Sequence, residues 1–350
     1  MQSGGQPLSC LQIYTFCLRR HPMPLTSLAF IGAGGFLSPG GASGCLTVLT
    51  YHRVLPQADP LQPPDQIDAA SFDGHMTAAR SCFNVLPLPD ALDMLEQGKL
   101  PRRALSITFD DGYEDNHSVA LPILRRHRLP ATFFICTGYL GNGLMFNDVV
   151  TEAIRRAQGP HLDLSWLGLG MRPVSNIAEK QGLSKELVQF VKYLPLAQRQ
   201  ATCDRLWEAC AGQNARPPLM MVPEQVKDLA AHGMAIGGHT HTHPILTKIG
   251  LDEAREDIVR NRQALRDITG STPSLFAYPN GRPNTDYTRE HRDLVKEAGY
   301  RAAVSTAWGV ATRESDIFQL PRFAPWNVSP TRLTLQLLKN AHKGRQAVSA

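Results

Sequence analysis

The run Ala104–Phe109 ends abruptly in Asp110-Asp111-Gly112, and the order of segments after it restricts the fold more than any other stretch. A helical segment, Ser118–His127, is closed by Pro130, and a second apolar run, Ala131–Cys136, comes next. Strand, helix, strand in that order is the signature of a parallel α/β sheet or barrel. In such folds the loops leaving the C-terminal strand ends collect the chemistry, which draws attention to the two aspartates.

The rhythm extends both ways. Leu46–His52 is a β-rich run, Ser71 is placed to cap a helix through Phe72, Met76 and Ala79, and Phe83–Leu86 reads as a short strand. Asp90 is placed to cap a helix over Ala91–Gln97. Residues 141–222 break the pattern. Asp148–Gln158 and Lys185–Cys210 look helical between Gly- and Pro-containing loops, so the region reads as an insertion that caps or lines a groove. Alternation resumes with helix Pro223–His232, strand Met234–Gly237, helix Asp252–Thr269 and strand Ser274–Tyr278. Helix Arg289–Ala298, strand Ala302–Val304 and an amphipathic helix, Pro330–His342, complete it. The expected organisation is a flexible leader (1–44), one domain (45–325, with the insertion at about 141–222) and a C-terminal helix and tail (326–350).

Charge narrows the partners. Lys+Arg 36 against Asp+Glu 31, with no run of five or six like charges, is not the pattern of a nucleic-acid binder. No stretch reaches the roughly 18 apolar residues of a membrane span. The seven cysteines are odd in number and form no C-x-x-C pair, which fits reduced thiols in a cytosolic-type protein better than a disulfide framework. Arg19-Arg20-His21, then Leu25–Leu37, then Ser38–Cys45 have the order of a signal peptide. The apolar stretch is interrupted by glycines and far from Met1, so a disordered leader is the preferred reading; localisation stays open, with the cytoplasm favoured over export. Oligomeric state leaves no trace in the sequence.

Three clusters lie just past expected strands. Adjacent carboxylates at Asp110-Asp111 allow one to bind a metal while the other accepts a proton, although an acidic turn capping the next helix has the same residues. His239-Thr240-His241-Thr242-His243-Pro244 puts three of the chain's 12 histidines in five residues, which suits metal binding from a turn. Pro279-Asn280-Gly281 can aim a backbone N–H into a cleft as an oxyanion hole requires. One carboxylate and two imidazoles make an open catalytic metal set, and a second carboxylate beside it serves hydrolysis of an ester or amide by metal-activated water.

In these motifs the chain resembles the polysaccharide deacetylases with the NodB homology domain, carbohydrate esterase family 4. Thr108-Phe109-Asp110-Asp111-Gly112 corresponds to the family's TFDDG motif and His239–His243 to its H-[ST]-x-x-H motif, with a looser match at Pro279-Asn280-Gly281. The likeness spans about Leu46–Pro325. It implies a distorted (β/α) barrel with a helical insertion, Asp110 as general base, and Asp111, His239 and His243 as ligands of a divalent metal. That ion is Zn²⁺ in most members, with Co²⁺ or Ni²⁺ accepted. His241 falls at a variable position.

The chain departs from the family at two points. The Arg that usually orients the catalytic Asp is Ala277 here, and Arg322 is the candidate to reach the site from another loop. The Leu-x-His motif that supplies the general acid has no clean match. In the branch acting on poly-N-acetylglucosamine and its exopolysaccharide-locus relatives, an N-terminal Tyr-His provides that acid; Thr50-Tyr51-His52 looks like it. The resemblance therefore implies removal of N-acetyl groups from an N-acetylhexosamine in a polysaccharide or its precursor, with His52 as acid and the Asn280 N–H at the oxyanion. Tyr278, Pro279, Trp308 and Trp326 are candidate sugar contacts. O-acetyl ester or small-amide hydrolysis, and a catalytically silent carbohydrate-binding protein, stay open as alternatives.

Overall fold

The computed structural model describes residues 38–344 apart from 64–65, 142 and 326–328. The expected leader up to residue 37, and Trp326, lie outside the described residues. The strands in chain order are β1 (Leu46–Tyr51), β2 (Val54–Leu55), β3 (Ile67–Asp68), β4 (Asn84–Val85), β5 (Ala104–Phe109) and β6 (Thr132–Ile135). Next come β7 (His161–Asp163), β8 (Met171–Pro173), β9 (Ala235–Gly238), β10 (Leu275–Ala277) and β11 (Ala302–Val304). One curled parallel sheet runs β1-β5-β6-β9-β10-β11, with β4 beside the start of β5.

Every residue of β1 and β5 is buried, as expected of parallel strands covered on both faces, and they pair from Leu46↔Ala104 to Tyr51↔Phe109. The two edge strands are linked by an irregular segment. Leu320 bridges Val304 of β11, and Phe323, three residues on, bridges Leu49 of β1. This short stave closes a distorted barrel and places Arg322 between the edges. The core behind the strand ends includes Tyr51, Phe72, Phe109 and Phe133, with the last two stacked 4.7 Å apart. Leu333, Leu337 and Leu338 of the helix Pro330–Lys343 join this same core. Residues 38–44, expected in the flexible leader, also pack on the domain, with Gly41 bridging Leu100.

Several local expectations are corrected. The helix Ala69–Cys82 is capped by Asp68, whose Oδ1 accepts from the Ser71 N–H at 2.8 Å; Ser71 is already inside the first turn. The next helix starts at Leu88 behind Pro87, ahead of Asp90. Lys185–Cys210 is two helices, Ile177–Lys192 and Leu196–Ala211, because Pro195 cannot continue a helix and instead precedes the second. The insertion also contains an antiparallel hairpin, β7–β8. It buries a cluster of its own around Val150, Ile154, Leu187, Val191, Leu206 and Trp207. Among the described residues no helix is long and apolar enough to cross a membrane.

Candidate active site

The chain reverses direction just past β5. The Asp110 N–H donates to the Tyr51 carbonyl at 2.9 Å, and then Asp111 and Gly112 adopt left-handed conformations with φ of 78° and 93°. The two carboxylates meet different partners. Asp110 is gripped by Arg322 through two bonds of 2.7 Å, Nη1 to Oδ1 and Nη2 to Oδ2, while Arg322 Nε donates to the Ser305 carbonyl. Both side chains are buried. Burial pushes the Asp110 carboxyl upward, but the Arg322 charge, with His239 behind it, holds it below the usual carboxylate range.

Asp111 turns to the histidines. Its Oδ1 lies 3.3 Å from His239 Nε2 and 3.4 Å from His243 Nε2. His239 Nδ1 is 2.7 Å from the Ala277 carbonyl, so the ring proton sits on Nδ1 and Nε2 presents a lone pair. Burial pushes the His243 imidazole down to about 4, which keeps it neutral. Asp111 Oδ1 is buried and makes no hydrogen bond. A buried carboxylate oxygen without a hydrogen bond, facing the Nε2 atoms of two imidazoles, fits a divalent cation with further positions open. His241 points elsewhere, its Nδ1 2.9 Å from Thr137 Oγ1.

The turn that presents these histidines is strained and clamped. Thr240 and His243 have φ of 62° and 51°, conformations costly for residues with a Cβ. The helix Leu251–Thr269 holds them with Asp257 and Asn261, one turn apart. Asp257 accepts from the N–H groups of His241 and Thr242 and from the Thr242 hydroxyl. Buried Asn261 donates to the carbonyls of Ile135 and Thr240, tying the ends of β6 and β9 together. Gly238 is required beside it, because a Cβ there would collide with Asn261 and Tyr300. No sequence signal marked Asp257 or Asn261, since both belong to an ordinary amphipathic helix.

Of the remaining candidates, the structure brings His52, Tyr278 and Asn280 to one cavity of about 300 Å³. It is lined by Asp110, Asp111, His239 and His243, and also by His52, Tyr278, Asn280 and Thr306. His52 Nε2 lies 4.0 Å from Asp110 Oδ2, and the ring is 40% exposed. Asn116 donates to the His52 carbonyl at 2.7 Å, and Arg53 is paired with Asp115, so the backbone carrying His52 is fixed on both sides. Asn280 has a φ of 59°, and its carbonyl accepts from Thr306 Oγ1. Tyr278 is stacked on Tyr287 and donates to the Phe318 carbonyl. Pro279 is buried and does not line the cavity. Trp308 does not line it either: 58% exposed, it stacks on Phe323. The insertion supplies the opposite wall with Met145, Phe146, Asn147, Val188, Gln189 and Lys192.

The polysaccharide deacetylase family model matches residues 97–303, more than half of the chain. The chain belongs to this family. A relative from Bacillus subtilis (strain 168), described as putative polysaccharide deacetylase YxkH, is 22% identical over 279 residues, covering 79% of this chain and 70% of that protein. The poly-beta-1,6-N-acetyl-D-glucosamine N-deacetylase of Staphylococcus aureus (strain MSSA476) is 43% identical over 68 residues, 19% of this chain and 23% of its own length. Among solved structures, the Streptococcus pyogenes deacetylase PplD in complex with acetate has a TM-score of 0.57 at 19% identity, covering 85% of this chain and 99% of that one. IcaB from Ammonifex degensii has a TM-score of 0.54 at 19% identity, covering 85% and 98%. This member of the polysaccharide deacetylase family thus joins three residues able to hold a divalent metal, Asp111, His239 and His243, to a second buried aspartate in one cavity.

Proposed function

We propose that the chain removes the acetyl group from an N-acetylhexosamine in a polysaccharide or its precursor, as a relative of the poly-N-acetylglucosamine and exopolysaccharide-locus deacetylases. The observation that carries this reading is the buried Asp111 oxygen without a hydrogen bond, facing two imidazoles beside an arginine-paired aspartate. The local likeness to the staphylococcal deacetylase and the Tyr51-His52 strand end support the branch. Asp111, His239 and His243 would hold the divalent ion, Zn²⁺ or else Co²⁺ or Ni²⁺. When bound, it polarises the acetyl carbonyl and water as a Lewis acid.

The chain's own groups do the rest. Asp110 takes the proton of the attacking water, and Arg322 keeps that carboxylate ionised and oriented. A new C–O bond forms at the acetyl carbon. The Asn280 N–H donates to the resulting oxyanion, a contact of about 3–4 kcal/mol for donors of this kind. The C–N bond then breaks as His52, in its imidazolium form, protonates the departing nitrogen. Acetate and a free amino sugar leave.

Acetate release from N-acetylglucosamine oligomers and from O-acetylated xylan provides the test. Metal-dependent release from the first, lost in Asp110→Asn with metal content retained, is the expected outcome. Release from the xylan alone would make the protein an esterase. An ion bound without release from either would make it a silent carbohydrate-binding protein.

A further inference from the structure

We infer that the insertion forms a cationic wall that selects a glycan bearing an anionic substituent, a carboxylate or phosphate, beside the acetamido sugar; this rests on the deacetylation proposed for the same cavity. Two cations of the insertion carry it. Lys192, at the end of the helix Ile177–Lys192, lines the cavity and is half-buried. Its ammonium lies 5.6 Å from the Tyr193 ring, and among the described residues no carboxylate comes within 4.0 Å of it. Asp286 attracts it and Arg282 repels it from beyond that distance, while burial holds its pKa below the usual lysine value. Arg199, on the next helix, is 7% exposed and stacks 4.8 Å over the ring of Phe146, a cavity residue. It too has no carboxylate within ion-pair distance among the described residues, yet its charge reaches His243. Other buried or half-buried arginines differ: Arg53, Arg155 and Arg322 pair with Asp115, Asp59 and Asp110, while half-buried Arg262 donates only to the carbonyls of Pro273 and Gly299.

Among the residues that line the cavity, none offers Lys192 a spare counter-charge, and Arg199 lies behind Phe146. The cavity's two carboxylates, Asp110 and Asp111, are committed to Arg322 and to the imidazole set. The other polar groups on this side, Gln66, Asn147 and Gln189, are neutral, and the buried Gln66 Oε1 has no hydrogen bond. Removing cations from water without a partner is costly, so an anion on the substrate gains what a neutral sugar cannot.

The metal-loaded full chain is titrated by calorimetry with three probes and assayed for acetate release separately. The probes are a heparosan hexasaccharide (alternating N-acetylglucosamine and glucuronate), its carboxyl-reduced counterpart, and chitohexaose phosphorylated at its reducing end. At least one charged probe should bind about tenfold tighter than the carboxyl-reduced one, as one partly desolvated charge pair allows, and high salt should narrow the gap. Which charged probe wins identifies carboxylate or phosphate. Lys192→Gln, checked for folding by circular dichroism, should reduce that ratio to near one. Equal binding of all three by the unmodified protein, or a Lys192→Gln effect that is the same for charged and neutral probes, would overturn the wall. Charge preference without acetate release would instead overturn the deacetylation reading alone.

Discussion

The mouth of the barrel and the insertion wall across from it are built on opposite terms. At the mouth each charged group is held: Asp110 by Arg322, the His239–His243 turn by Asp257 and Asn261, and the His52 backbone by Asn116. On the wall, Lys192 and Arg199 lie against aromatic faces and have no carboxylate within ion-pair distance among the described residues. The two regions even bury separate apolar clusters, one around Phe109 and Phe133, the other around Leu187 and Leu206. Under the proposed function, such a contrast suits chemistry at the fixed strand ends, where geometry must be pre-organised, and substrate choice on an attached element that can vary without disturbing them.

The largest effect should come at the mouth. Asp110→Asn should lower acetate release about 10²–10⁴-fold while leaving bound metal unchanged, and His239→Ala should lose both, as metal analysis and kinetics would show. A His239→Ala protein that kept its ion would place the metal elsewhere. Arg322→Gln should cost about 3–5 kcal/mol in urea unfolding, because it leaves Asp110 buried and unpaired. Adding Asp110→Asn to that variant should recover part of the loss, and no recovery would mean the pair does not act as a unit.

How much of the site is legible in the sequence depends on how far apart the partners lie. The carboxylates and histidines stand in contiguous motifs at strand ends, so both the barrel and the Asp111, His239, His243 grouping can be read from local pattern. Arg322 is only a candidate at that level, since its approach to Asp110 depends on the irregular stave from Leu320 to Phe323, which has no strand periodicity. Asp257 and Asn261 carry no signal, because one-turn spacing of polar residues is common on any solvated helix. Cap positions differ from expectation for a local reason: Asp68 and Ser71 are equally good capping residues, and tertiary packing chose the earlier one. Trp308 reads as a sugar platform by residue type, whereas the chain sets its ring against Phe323.

Smaller effects sharpen the contrast. Leu187→Ala should destabilise the insertion by about 2–5 kcal/mol without altering metal affinity, measured by hydrogen exchange and metal titration. Loss of metal binding in that variant would show that wall and mouth are one unit. Asp257→Asn should weaken metal binding about 10–100-fold with the fold intact, since its amide would oppose the N–H groups of His241 and Thr242. Buried Asp148, which accepts from Tyr113, is pushed up by burial to about 7. Its folded-state pKa lies above the unfolded value, so the stability it contributes is full at acid pH and is lost as pH rises through about 7. Thermal melts from about pH 5 to about pH 8 should therefore decline more steeply for the natural chain than for Asp148→Asn; parallel profiles would show that Asp148 does not set this pH dependence.

The most direct measurement is a titration of metal-stripped protein with Zn²⁺, following bound ion and acetate release from N-acetylglucosamine oligomers in the same samples. The expected result is one tight ion per chain, release that rises in proportion to occupancy, and neither in the Asp111→Ala protein. Full release from the metal-stripped chain, or one bound ion retained by Asp111→Ala, would contradict the assignment of Asp111, His239 and His243 as the catalytic metal site.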